Sequence, residues 1–124
     1  MTLGIYVHIP FCRQKCLYCD FNSYAKKERW MDPYCCALKK EIKGFAADQT
    51  VDTVYFGGGT PTCIGAGRLT DLLHTVRGHF SLTNRCEITA ECNPGTIDFE
   101  GLKTLYDAGF NRLSLGLQST DDAM

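Results

Sequence analysis

Three cysteines near the N-terminus, Cys12-Arg-Gln-Lys-Cys16-Leu-Tyr-Cys19, put three thiols within eight residues of one loop. Thiolates are soft ligands suited to iron–sulfur clusters, zinc or copper(I). Closed structural sites use four ligands, so a group of three leaves one coordination position open for chemistry. The competing reading is a zinc knob completed by His8 or Cys35. A second motif, Gly57-Gly58-Gly59-Thr60-Pro61-Thr62, lacks the Gly-Lys-Ser/Thr of a phosphate-binding loop. It also lacks the last glycine of a G-x-G-x-x-G dinucleotide loop, because Thr62 stands there. Three glycines without Cβ atoms let a ligand come against bare backbone, or they make a tight turn with no ligand at all. Glu91, two residues before Asn93-Pro94-Gly95, is a carboxylate aimed at a ligand, a cap for the next turn or the partner of a surface lysine.

These residues need elements to hold them, and the hydrophobic pattern supplies an alternating series. Residues 3–9 read as a strand with Ile5, Val7 and Ile9 on one face and Tyr6 and His8 on the other. Asp32-Pro33 reads as a helix start, followed by Tyr34, Leu38, Ile42 and Phe45 at helical spacing. Residues 51–56 form a second strand, ended by the glycines, and Leu69, Leu72, Leu73, Val76 and Phe80 mark a second amphipathic helix. A third strand over 87–91 precedes a helix carrying Phe99, Leu102, Leu105 and Tyr106, with Gly109 as its stop. Residues 112–117 make a fourth strand.

Four strands alternating with three helices predict an α/β fold of parallel units without an internal linker, the beginning of a (β/α) barrel. In barrels the active site lies at the C-terminal strand ends. The cysteine loop, the glycines, Glu91 and Gln118-Ser119 follow or close strands one to four in turn. Strand alternation puts Tyr6, His8, Thr89, Glu91, Arg112, Ser114 and Gln118 on one common, non-aliphatic face.

The chain has 124 residues, 44% of them hydrophobic, and a net charge of −1. A complete barrel takes roughly 200 residues or more, so residues 1–124 read as the N-terminal portion of such a domain. No apolar run approaches the roughly 18 residues of a membrane span, and the N-terminus does not read as a signal peptide. Eight cysteines without a secretion signal favour a reducing, cytoplasmic setting over a disulfide framework. Cys35, Cys36, Cys63, Cys86 and Cys92 are expected to be plain buried thiols. Scattered basic residues give no support for nucleic-acid binding.

The C-x3-C-x2-C motif with an aromatic, Tyr18, before its third cysteine resembles the radical S-adenosylmethionine (radical SAM) family. Tyr6-Val-His-Ile-Pro-Phe-Cys12 and Cys19-Asp-Phe-Asn-Ser23 resemble its coproporphyrinogen III oxidase-like branch. The resemblance implies an open six-unit (β/α) barrel, of which this chain would supply about four strands and three helices. It implies a four-iron four-sulfur (4Fe-4S) cluster on Cys12, Cys16 and Cys19. S-adenosylmethionine would chelate the open iron and be cleaved by one electron to a 5′-deoxyadenosyl radical. Tyr6, Gly58 and Glu91 match contacts to that molecule. Tyr18, Gly59, Thr60 and Gln118 match positions that hold a second S-adenosylmethionine in oxidase members.

The branch contains oxygen-independent oxidases that decarboxylate coproporphyrinogen III and heme-binding chaperones that deliver heme. The oxidases carry a further cysteine two residues after the third ligand, where this chain has Asp20-Phe21. The resemblance therefore points to a heme chaperone, with the oxidase as the alternative. The partners it implies are heme or a porphyrinogen, an electron donor and a heme-accepting protein.

Overall fold

The computed structural model describes residues 2–11 and 21–115. Four strands, β1 (Thr2–Ile9), β2 (Thr50–Gly58), β3 (Ser81–Cys92) and β4 (Arg112–Leu115), alternate with helices α1 (Phe21–Gly44), α2 (Ala66–His79) and α3 (Phe99–Ala108). Short 3-10 turns, Pro61–Ile64 and Pro94–Thr96, follow β2 and β3. All strand pairs are parallel and the spatial order is β1-β2-β3-β4. Parallel crossovers are almost always right-handed, so strands added in sequence on one side place every helix on the same face. A doubly wound sheet would reverse its order. This one does not, and it has the arrangement of part of a (β/α) barrel wall.

The helix-facing side of the sheet is apolar. Val7 and Ile9, Val54 and Phe56, then Ile88 and Ala90 are buried on alternate positions of successive strands. They pack in one cluster with Leu69, Leu72, Leu73 and Val76 of α2, each at most 1% exposed and each contributing about 2 kcal/mol by burial. Phe56 meets Phe110 edge to face at 5.1 Å.

Caps and side-chain clamps fix where the elements begin and end. Asp98 caps α3 by accepting from the Gly101 N–H at 2.8 Å, and Gly109, at φ 122°, ends it as the sequence predicts. The Asn111 side chain accepts from Ile88 N–H at 2.8 Å and donates to the Cys86 carbonyl at 2.9 Å. That clamp sets β4 in a register that pairs Thr89 with Arg112 and Glu91 with Ser114.

Three expectations need correction. Helix α1 does not start at Asp32-Pro33 but runs through it from Phe21. Proline costs a helical hydrogen bond, yet Pro33 is exposed, where water can satisfy the carbonyl left over. The buried face continues across it, through Met31, Cys35 and Ile42. Asp32 caps nothing there and instead holds α2, accepting from Arg68 Nε at 2.7 Å. Second, the apolar stripe of α3 is mostly uncovered: Leu105 is buried, but Phe99 and Tyr106 are 78% and 75% exposed. Third, Cys36 is exposed and Cys63 only half-buried, while Cys35, Cys86 and Cys92 are buried. Successive helical residues lie about 100° apart, so Cys35 and Cys36 cannot share one buried face.

Candidate functional site

The opposite side of the sheet carries the polar side chains in rows set by strand register. Tyr6 pairs with Tyr55, Tyr55 with Thr89 and Thr89 with Arg112, making one row across all four strands. Two residues nearer the C-terminal ends, His8 pairs with Gly57 and Glu91 with Ser114. The predicted common face of Tyr6, His8, Thr89, Glu91, Arg112 and Ser114 is therefore assembled as a surface. Tyr55 and Gly57 belong to it as well. Tyr55 is missing from the sequence-based reading, although Val54 and Phe56, the buried residues flanking it, imply its side by simple alternation.

Glu91 is the centre of the upper row. Its Oε1 accepts from the Gly58 N–H at 3.1 Å and its Oε2 from the Tyr55 hydroxyl at 2.7 Å. That bond, with burial, raises the Tyr55 phenol above its ordinary range, so it stays a donor. The Tyr55 ring stacks on Tyr6 at 5.9 Å, and the Tyr6 hydroxyl lies 3.4 Å from His8 Nδ1. Arg112, lower on the face, bonds Glu87 at 3.0 Å.

The glycines are required by contact as much as by conformation. A Cβ on Gly57 would stand 2.8 Å from the Tyr55 ring and 3.0 Å from both Glu91 Oε1 and the Tyr6 hydroxyl. Gly58 has φ 120°, a region open to glycine, and a Cβ there would lie 2.8 Å from the Ile9 carbonyl. The result is bare backbone ringed by one carboxylate and two phenols.

Beyond the strands, parallel pairing continues into the loops. Gly59 N–H donates to the Ile9 carbonyl at 2.9 Å and Thr60 N–H to the Phe11 carbonyl at 2.6 Å. Phe11 is the residue before Cys12, so the glycine segment is laced to the base of the cysteine loop. Phe11 itself is buried and meets Tyr34 of α1 edge to face at 5.6 Å. The Tyr34 hydroxyl in turn donates to the His8 carbonyl at 2.6 Å. On the other flank, the fully buried Thr62 hydroxyl hydrogen-bonds Thr96 at 2.5 Å and accepts from Asn93 N–H at 3.4 Å. That joins the turns after β2 and β3.

Tyr6, Gly58, Gly59, Thr60 and Glu91 thus sit together at the C-terminal ends of β1, β2 and β3. Gly59 and Thr60 spend their N–H groups on the chain after β1. Cys12, Cys16, Cys19, Tyr18 and Gln118 lie outside the described residues. Among the described residues no group of His, Cys, Asp and Glu is arranged to hold a metal ion, and no helix is long and apolar enough to cross a membrane.

Known proteins share this arrangement. Heme chaperone HemW of Mycobacterium tuberculosis is 43% identical over 126 residues, covering 94% of this chain and 31% of its own length. HemW of Escherichia coli is 41% identical, covering 94% and 32%. The oxygen-independent coproporphyrinogen III oxidase of Pseudomonas aeruginosa is 37% identical, covering 96% and 27%. The solved structure of the Escherichia coli coproporphyrinogen III oxidase HemN, a radical SAM enzyme, superimposes with a TM-score of 0.81 at 35% identity, over 94% of this chain and 28% of that one. The chain thus spans about a third of the length of the curated relatives it matches. The radical SAM superfamily matches over residues 6–124, nearly all of the chain, and with a parallel sheet that brings the glycine segment and Glu91 together at one end this chain belongs to that superfamily.

Proposed function

We propose that residues 1–124 are the N-terminal portion of the core domain of a cytoplasmic heme chaperone of the HemW kind. Membership of the superfamily implies an iron–sulfur cluster and S-adenosylmethionine in general terms. The residues present fit both. Three soft thiols on a loop anchored at Phe11 suit a cluster with one open iron. A glycine surface that a Cβ would fill, bordered by the Glu91 carboxylate, suits a ligand carrying an amino group and a sulfonium.

In this reading Cys12, Cys16 and Cys19 hold the cluster, and Tyr6, Gly58 and Glu91 hold S-adenosylmethionine. Bound together, those groups supply the reductive sulfonium chemistry of the superfamily. The chain's share is binding and orientation: Glu91 receives the cationic end of the ligand, Gly57 and Gly58 let it reach the backbone, and the Phe11 contact ties the glycine segment to the residue before Cys12. Tyr18, Gly59, Thr60 and Gln118 would border a second S-adenosylmethionine. The Gly59 and Thr60 N–H groups, already bonded, would not be its donors. The partners are heme, an electron donor and a heme-accepting protein.

Asp20-Phe21, where oxidases have their extra cysteine, carries the choice of chaperone over oxidase, and the names of the HemW relatives support it. The second reading, coproporphyrinogen III decarboxylation, is favoured by the likeness to HemN. The protein that carries this chain, reconstituted anaerobically, is expected to take up about four iron and four sulfide. The cluster should be lost on Cys12→Ala, Cys16→Ala or Cys19→Ala but kept in Cys35→Ala. It should bind heme and should not convert coproporphyrinogen III with reductant and S-adenosylmethionine. Multiple-turnover release of carbon dioxide would replace the chaperone reading with the oxidase. Stoichiometric zinc with no iron uptake would remove both.

A further inference from the structure

A carboxylate that must receive a ligand has to be held at the right angle before the ligand arrives. The last torsion of a glutamate is broad and soft, so an unheld Glu91 would spread its two oxygens over many orientations. Here both are engaged from β2. The Gly58 N–H takes one at 3.1 Å and the Tyr55 hydroxyl the other at 2.7 Å. Two bonds to two oxygens fix the plane of the group, which one bond could not do.

Tyr55 is itself held. Its ring lies nearly parallel to Tyr6, at 15° and 5.9 Å. Tyr55 sits one row below Glu91, beside Thr89 in register, so its phenol reaches up to the carboxylate from beneath. A hydroxyl given to a carboxylate on the next strand ties β2 to β3 through their side chains.

We infer that Tyr55 is a positioning residue: its hydroxyl orients the Glu91 carboxylate for the ligand. The inference rests on the reading of Glu91 as an S-adenosylmethionine contact. Its energy comes from ordering Glu91 in advance, a cost otherwise met on binding.

The test is calorimetry of S-adenosylmethionine binding to the cluster-loaded protein that carries this chain. Tyr55→Phe keeps the ring and its stacking and removes only the hydroxyl. It should weaken binding about tenfold, the 1.4 kcal/mol of one ordinary hydrogen bond. Glu91→Ala should weaken it about a hundredfold, as expected for loss of a charge-assisted contact. The decisive variant is the double one. If Tyr55 acts through Glu91, Tyr55→Phe with Glu91→Ala binds no worse than Glu91→Ala alone, whereas a general structural role would add its loss. Binding unaffected by Tyr55→Phe but weakened by Glu91→Ala overturns the inference and leaves the site reading standing. A tenfold loss that persists on top of Glu91→Ala overturns it too. Binding unaffected by Glu91→Ala overturns the site reading itself, and the inference with it.

Discussion

Replacing Gly59 by alanine tests whether the glycine segment holds the cysteine loop in place. Gly59 is not in the left-handed region; it is a glycine because the chain after β1 runs against it. A Cβ at this position would stand 2.5 Å from the Phe11 carbonyl oxygen and 3.0 Å from its carbon. Both neighbours are backbone, so no side chain can swing away to make room. The two strands must separate, which puts at risk the bonds from Gly59 N–H to Ile9 and from Thr60 N–H to Phe11. Overpacking costs about 1–3 kcal/mol and each weakened hydrogen bond about 1 kcal/mol, so a total near 3 kcal/mol is expected. Urea unfolding measures the stability, and iron bound after reconstitution measures the loop. Gly67→Ala serves as the control, since a Cβ there meets nothing within 4 Å inside α2. It should stabilise by about 0.5 kcal/mol. A Gly59→Ala protein with unchanged stability and full iron uptake would refute the reasoning.

Two further predictions use groups away from the site. Cys36 is exposed while burial pushes the thiols of Cys35, Cys86 and Cys92 up, so iodoacetamide at neutral pH should label Cys36 well before those three. Peptide mass spectrometry would read the order, and equal rates at Cys35 and Cys36 would contradict the helix placement. The Arg68 hydrogen bond, then its charge, lowers the Asp32 carboxyl below its ordinary range. A depressed folded value gives stability that is present above the unfolded aspartate range of about 3.9 and is lost as pH falls through the lower folded value. Asp32→Asn should therefore be less stable than the parent at neutral pH, with the gap closing on acidification; a gap independent of pH would contradict the pairing.

The repeating units were legible because strand and helix periods differ and each change is punctuated. Gly109 ends α3 where a positive φ is needed, and alternating Val, Ile and Phe marked the buried faces of β1 and β2. Single-residue rules misled where tertiary packing overrode them. Asp32-Pro33 has the chemistry of a helix start, but the apolar face of α1 runs through it and Asp32 finds its partner on α2. In the site, strand parity was enough to gather Tyr6, His8, Glu91 and Ser114 on one face. It could not reveal that Tyr55 bonds Glu91, because the pairing depends on the register between β2 and β3, which slips between Val51 and Thr53. Sequence alone carries no sign of that irregularity.

The distribution of charge on the polar face has a consequence for ligand choice. Arg112 could have neutralised either carboxylate of β3 that shares its face. It bonds Glu87, four residues below Glu91 and so about 13 Å lower on the strand. The bonds to Glu91 from Gly58 and Tyr55 come from uncharged groups. Such donors orient a carboxylate without cancelling its charge. An arginine in their place would have oriented it equally well and left little attraction for a cation. S-adenosylmethionine bears a fixed positive centre, its sulfonium. On the proposed reading of Glu91 as an S-adenosylmethionine contact, a carboxylate held by neutral donors above a separately paired arginine keeps both its geometry and its charge for the ligand, so the support of Glu91 matters as much as its presence.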